Sequence, residues 1–401
     1  MMRWLERPVF MVQCNMILIN TNKLFDDDVF GQIPYIKPIR KVRAFKENIY
    51  SEYPGMSQYR SFSRYFSSGI VPIDRSNTIS TPFNMTLMSC LEMPNYEVTD
   101  ISYDDCCNSR AKQILNTGKK LVVFWSGGID STTMLSALLK NSTKEQQQNI
   151  SILMSNESII QNENFYNDII CGNLNIIPSH DCVNYLGNDD YVCVVGENND
   201  ELFGTNFIYA LTRLHDISIL NKEPSDVLLS FTLNSNKMMA IDNDITQISN
   251  NIAIMKSITA KCPVKIDNIF TYFWWLNFCL MWNVSYTRIM SLSKQNVKPE
   301  ENYISFFNTK QFQLWSMNNI NNIDISSWKT IKQIAKDYIF SYYPDENYKQ
   351  NAIKKSHITC AFYNKPVPFC IDANMNRLYN VEDVENFLTE DNSFVCKQVN
   401  S

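Results

Sequence analysis

Leu121-Val-Val-Phe-Trp-Ser126-Gly127-Gly128-Ile-Asp130-Ser131-Thr132 is the stretch that decides how this 401-residue chain folds. Five apolar residues make a run long enough for a buried strand, and turn chemistry follows at once. Beyond the turn, Met134, Leu135, Leu138 and Leu139 recur at helical spacing and form one apolar stripe. A strand therefore feeds a helix through a Gly pair. Gly127 and Gly128 let the backbone approach an anion closely. The amides and hydroxyls of Ser126, Ser131 and Thr132 fall at the N-terminus of the new helix, where negative charge is favoured. Asp130 adds the carboxylate that a phosphate-bound Mg²⁺ would use. An ordinary strand-turn-helix junction is the plain alternative.

Two common phosphate loops are excluded by inspection. A Walker loop requires a Lys directly before its Ser/Thr, and a dinucleotide fingerprint requires Gly-x-Gly-x-x-Gly. What Ser126 to Ser131 resembles is the PP-loop, Ser-Gly-Gly-(Ile/Leu)-Asp-Ser, of ATP pyrophosphatases. Members of that family split ATP into AMP and pyrophosphate while activating a carboxylate or carbonyl oxygen for a nitrogen or sulfur nucleophile.

A second apolar run, Tyr191-Val-Cys-Val-Val195, ends in Gly196-Glu197-Asn198-Asn199-Asp200-Glu201-Leu202-Phe203-Gly204. Loops at the carboxyl ends of parallel strands converge on one crevice, so this acidic turn is expected to face the first loop. Glu197, Asp200 and Glu201 repel one another unless a cation sits among them. The block resembles the Gly-Glu-Gly-(Ser/Ala)-Asp-Glu-Leu-Phe-Gly-Gly signature of the asparagine synthetase family's synthetase domain. Asn198, Asn199 and Thr205 depart from it. Asn tolerates left-handed backbone better than most residues, whereas Thr205 is expected to alter the floor of the pocket.

The resemblance implies a set of roles. Ser126, Gly127, Gly128, Asp130, Ser131 and Thr132 would hold ATP, Asp130 and Asp200 would bind Mg²⁺, and Glu197 would serve as acid/base or orient the substrate. Glu201 would hold the turn together. The family also places a Lys on a loop that closes over the site, and Lys354 and Lys355 are the candidates by position. The substrate would be a small-molecule or peptide carboxylate, aspartate by default.

The C-terminal third carries further likenesses. Phe270 to Trp282 reads as a core helix, too short and too interrupted by Asn277 for a membrane span of about 20 apolar residues. Tyr303 to Phe312 matches a family segment in position, without its Pro and Asp. Trp328 to Tyr338 has helical spacing with Ile331, Ile334 and Ala335 inward, and Tyr343-Pro344-Asp345-Glu346 stands where the family often has Leu-Pro-Glu-Glu.

Glutamine-dependent asparagine synthetases begin with a glutaminase domain whose nucleophile is a Cys at position two. Here Met2 and Arg3 stand at the start and the first cysteine is Cys14. The expected nitrogen donor is therefore free ammonia, a separate ammonia-supplying protein, or an amine of the substrate, as in the similar β-lactam synthetases and lasso-peptide cyclases.

Composition is ordinary for a globular chain: 45% hydrophobic, 19% charged, net charge -5. That balance leaves no global footprint for nucleic acid. Lys37, Arg40, Lys41, Arg43 and Lys46 form a local basic run, read first as a solvated face. No signal peptide is evident, since Arg3, Glu6 and Arg7 break the apolar start, and a cytoplasmic location is the default expectation. The 12 cysteines include no Cys-x-x-Cys, which disfavours the PP-loop enzymes that carry zinc or iron-sulfur cysteines. His180, His215 and His357 are read as structural or surface residues.

The fold expected is α/β: a parallel sheet flanked by helices, resembling the adenine nucleotide alpha-hydrolase-like PP-loop core. Its expected division is an N-terminal accessory region (1-103), an ATP-binding core (104-240) and a mainly helical C-terminal part (241-401). The function expected is AMP-forming amide-bond synthesis. Two alternatives stay open: a PP-loop enzyme that modifies a nucleobase or nucleic acid, and a degenerate nucleotide-binding member.

Overall fold

A computed structural model describes residues 17-19, 74-78, 93-226, 228-230, 245-282, 302-352, 370-372 and 377-379. Its main feature is a five-stranded parallel sheet flanked by helices. The strands are β1 (Lys120–Phe124), β2 (Ile150–Met154), β3 (Asn175–Pro178), β4 (Tyr191–Val195) and β5 (Tyr303–Ser305), in the order β3-β2-β1-β4-β5. β1 is central, with Leu121 opposite Ile150 on one side and Val192 on the other.

Both faces of the inner strands are buried, as a parallel sheet requires, while the edge strand β3 leaves Ile176 exposed. Leu121 and Val123 join Ile150, Ile152, Val192 and Val194 in the larger core, whereas Val122 and Phe124 join Leu153, Cys193 and Val195 in a smaller one. The alternation follows from the two-residue period of a strand. The sheet takes its fifth strand from beyond residue 241, and the larger core runs from Tyr103 to Tyr338.

Helices before and after β1 and after β4 frame the N-terminal half of the sheet. α1 (Tyr103–Leu115) is capped by Ser102, whose Oγ accepts from the Asp105 amide at 3.0 Å. α2 (Ile129–Asn141) follows β1, and its residues from Ser131 to Leu139 are all buried, so it is enclosed beyond the expected stripe. After β4 come the short α3 (Asn199–Phe203) and then α4 (Thr205–Leu214).

The C-terminal half adds α5 (Ile245–Thr259), α6 (Ile269–Leu280), α7 (Lys310–Asn319), α8 (Gln333–Tyr342) and α9 (Glu346–Asn351). Every residue of α6 is buried, and Trp274, Trp275 and Phe278 pack ring on ring. Among the described residues no helix is long and apolar enough to cross a membrane.

α8 begins at Gln333, later than the helical spacing from Trp328 predicts. The Thr330 hydroxyl donates to the Asp324 and Ser327 carbonyls at 2.9 and 2.8 Å, and Lys332 sits at φ -102° and ψ 29°, outside helical backbone. Local hydroxyl bonding has won over helix propensity here. Ile331 and Ala335 are buried as expected, while Ile334 is half-buried.

Residues 74-78 are locked against α6. The Arg75 guanidinium lies 4.5 Å from the Trp282 ring centroid, and its Nη1 donates to the Phe278 carbonyl at 3.2 Å. A separate three-stranded antiparallel sheet joins Ile17–Ile19, Cys370–Asp372 and Arg377–Tyr379.

Candidate active site

From β1 the chain runs outward through β2 to β3, while β4 and β5 lie on the other side of β1. The strand order thus reverses between β1 and β4. In open α/β sheets, ligands bind outside the carboxyl ends of the strands at such a reversal. The two loops that leave there are the ones singled out from the sequence.

Gly127 adopts φ +74°, and a Cβ there would lie 2.8 Å from that of Gln161. Gly128 precedes α2 as an N-cap without a side-chain cap bond, so amides of the first turn remain for a ligand. Ser131 accepts the Ser126 amide proton at 3.1 Å, and the two Oγ atoms are 3.0 Å apart. Thr132 is fully buried and accepts from the Trp125 indole at 3.1 Å. Its first duty is to fix the loop.

The acidic turn touches this loop directly. A Cβ on Gly196 would lie 2.8 Å from the Ser131 nitrogen and 2.9 Å from the Asp130 carbonyl carbon. Asn198 holds left-handed backbone at φ 72°. Its Nδ2 donates to the Trp282 carbonyl at 2.6 Å, and its Oδ1 accepts from Ser305 on β5 at 2.7 Å. Gly204, at φ +69°, ends α3, where a Cβ would meet the Trp274 Cα at 2.7 Å. Backbone geometry and α6 therefore aim the turn at the Gly127 loop.

At the junction Asp130 and Asp200 converge on a lysine that the sequence reading did not assign. Lys332 Nζ donates to Asp130 Oδ1 and to Asp200 Oδ1, each at 2.6 Å. Asn199 Nδ2 donates to the same Asp130 oxygen at 2.6 Å, while its Oδ1 accepts from the buried Tyr103 hydroxyl at 3.0 Å. Thr205 donates to Asp200 Oδ1 and helps to hold this carboxylate.

Burial alone would lower the Lys332 pKa, but the two carboxylates outweigh it and hold it above the ordinary lysine value. Burial raises Asp130, against the pull of Lys332. With Nζ at 2.6 Å from both oxygens, the direction that governs the cluster is the lysine's, and Lys332 is charged. Glu201 is 3% exposed, its Oε1 accepting from Asn206 at 2.9 Å. Burial pushes its carboxyl well above the usual value, with Asp200 and Glu197 adding to the shift.

Glu197 is half-buried, and its carbonyl accepts from Ser305 Oγ at 2.8 Å. Lys354, Lys355, His357 and the basic run from Lys37 to Lys46 lie outside the described residues. His180 is exposed beside Asp181. Lys332 was legible only in part: a lysine next to inward-facing Ile331 needs a partner when buried, but the partners stand 132 and 202 residues away.

Tyr348 of α9 completes the rim. Its hydroxyl donates to the Gly127 carbonyl at 3.3 Å and lies within bonding reach of the Thr132 and Asn162 side chains. Burial pushes the phenol up, and it stays protonated.

Among the described residues no group of three or more His, Cys, Asp or Glu side chains gathers as a metal site. A cation here would rely on Asp130, Asp200 and oxygens brought by a ligand, the pattern of phosphate-bound Mg²⁺. The two carboxylates already converge on one cationic atom, so the donor set fits. Comparisons of the chain with protein-family models, with curated proteins and with solved structures find no match.

Proposed function

We propose that this protein is an AMP-forming amide synthetase similar to the synthetase domain of the asparagine synthetase family. One observation carries the reading: Asp130 from the glycine loop and Asp200 from the acidic turn meet on Lys332 at the reversal of a parallel sheet.

In this reading the Gly127 and Gly128 amides and the first turn of α2 bind the β- and γ-phosphates of ATP, with Ser126 and Ser131 at the loop's edge. Mg²⁺, held by Asp130 and Asp200, would neutralise phosphate charge. A substrate carboxylate oxygen attacks the α-phosphorus. The bond to the bridging oxygen breaks, pyrophosphate leaves and an acyl-adenylate remains. Ammonia or a substrate amine then adds to the acyl carbon, AMP departs, and Glu197 accepts the proton released by nitrogen. Lys332, released from the two carboxylates where Mg²⁺ takes them, would supply the cation for the oxyanion. Lys354 and Lys355, which lie outside the described residues, stay the candidates by position for the cation on a closing loop.

Substrate-dependent exchange of labelled pyrophosphate into ATP tests the proposal, across a panel of amino acids, other carboxylates and peptides. Activity is expected in the wild type and lost in Asp130→Ala and Asp200→Ala. ADP and phosphate as products would reject the reading. A nucleotide-binding role without catalysis is the second reading, favoured by the hold of Lys332 and Thr205 on Asp200. It predicts ATP binding with no AMP formed.

A further inference from the structure

Residues 332-348 reach the site twice. Lys332, just before α8, grips the two carboxylates, and Tyr348, in α9, touches the glycine loop. Between them α8 packs along α2. α9 is held in place on two sides: Asp345 accepts from the Tyr348 amide at 2.8 Å and from Asn164 Nδ2 at 2.9 Å. The Tyr343 hydroxyl adds a tie to Asp168.

This bracing makes the position of the Tyr348 ring definite, and the Thr132 and Asn162 side chains reach its oxygen, yet the proton it donates is poorly used. A bond of 3.3 Å to the Gly127 carbonyl is beyond the ordinary range for an O–H donor. The acceptor is neutral and belongs to the loop whose amides face the opposite way in charge. A phosphate oxygen in that loop would be the better acceptor, because hydrogen bonds to an ionised group are shorter and roughly twice as strong.

We propose that Tyr348 is a pyrophosphate-positioning residue, whose hydroxyl turns from the Gly127 carbonyl to a phosphate oxygen when the loop fills. The inference rests on the functional reading above and extends it: the 332-348 stretch contacts the pyrophosphate half of the nucleotide from both ends, with a cation at one and a neutral donor at the other. Tyr348→Phe deletes the one hydroxyl and keeps the ring.

The test is calorimetric titration of the full chain with inorganic pyrophosphate and Mg²⁺, and separately with AMP. Wild type is expected to bind both. Tyr348→Phe should bind pyrophosphate on the order of tenfold more weakly, the cost of one hydrogen bond to a charged group, with AMP affinity and melting temperature unchanged. Equal pyrophosphate affinity in the two proteins overturns the role of Tyr348 and leaves the functional reading standing. Parallel loss of pyrophosphate and AMP binding, or of the fold, also overturns it by making the residue structural. A wild type that binds neither ligand overturns the functional reading and the inference with it.

Discussion

Replacing Lys332 by methionine keeps much of the buried stem and removes the ammonium. Two carboxylate oxygens that each lie 2.6 Å from Nζ are then left roughly 5 Å apart at most, which at an effective dielectric of about 20 is a repulsion of about 3 kcal/mol. Breaking a buried ion pair from one side costs about 3–5 kcal/mol. Asp200 is 40% exposed and Asp130 25%, so water screens part of the clamp and the cost falls to or just below the lower end. We expect Lys332→Met to lose about 2–3 kcal/mol at neutral pH, read by urea denaturation followed through the buried tryptophans. The loss has a definite pH dependence. Without the lysine the carboxyls titrate higher in the folded state than in the unfolded chain, so the deficit grows as pH rises above the ordinary carboxylate value and shrinks below it. Mg²⁺ should restore stability to the variant more than it adds to the wild type. A variant within about 0.5 kcal/mol of wild type at every pH would show that the carboxylates do not converge on this lysine.

Three further outcomes are expected. Glu201 is raised from 4.5 in the folded state, so the stability its protonated form allows is full below that value and is lost as pH climbs toward the folded pKa. Glu201→Gln, which retains the acceptor for Asn206, should therefore gain on wild type between pH 5 and 8 in chemical denaturation. Gly204→Ala combines a positive φ with a Cβ at 2.7 Å from the Trp274 Cα; a loss of more than about 1 kcal/mol is expected in the same assay, and a neutral variant would remove the close contact. Iodoacetamide mapping of the native protein should label exposed Cys171 long before buried Cys106 and Cys193, whose thiols burial raises to about 12.

What was legible in the sequence was local. The runs at Leu121 and Tyr191 become β1 and β4 because continuous apolar residues suit a strand buried on both faces. Asn198 adopts the left-handed backbone for which Asn is suited, and Gly127 does so as a glycine. The core helix from Phe270 starts one residue earlier, at Ile269. What was not legible depends on distance along the chain. Lys332 looks like any helix lysine until the sheet places Asp130 and Asp200 beside it. Thr205 looked like an intrusion in a glycine position, yet it serves as a tether for Asp200. The helix start misplaced at Trp328 reflects hydroxyl bonds from Thr330 to carbonyls that spacing rules ignore.

The separation of 202 positions from Asp130 to Lys332 also sets an order of events during synthesis. At about 5–20 residues per second, the lysine leaves the ribosome roughly 10–40 s after the first carboxylate. During that interval the glycine loop and the acidic turn can be threaded onto neighbouring strands, but their negative charges face each other without the counter-ion. β5, which supplies Ser305 to brace Asn198, also arrives late. The crevice is therefore among the last parts of the protein to be completed, and a nascent chain halted before residue 332 carries both motifs without the site.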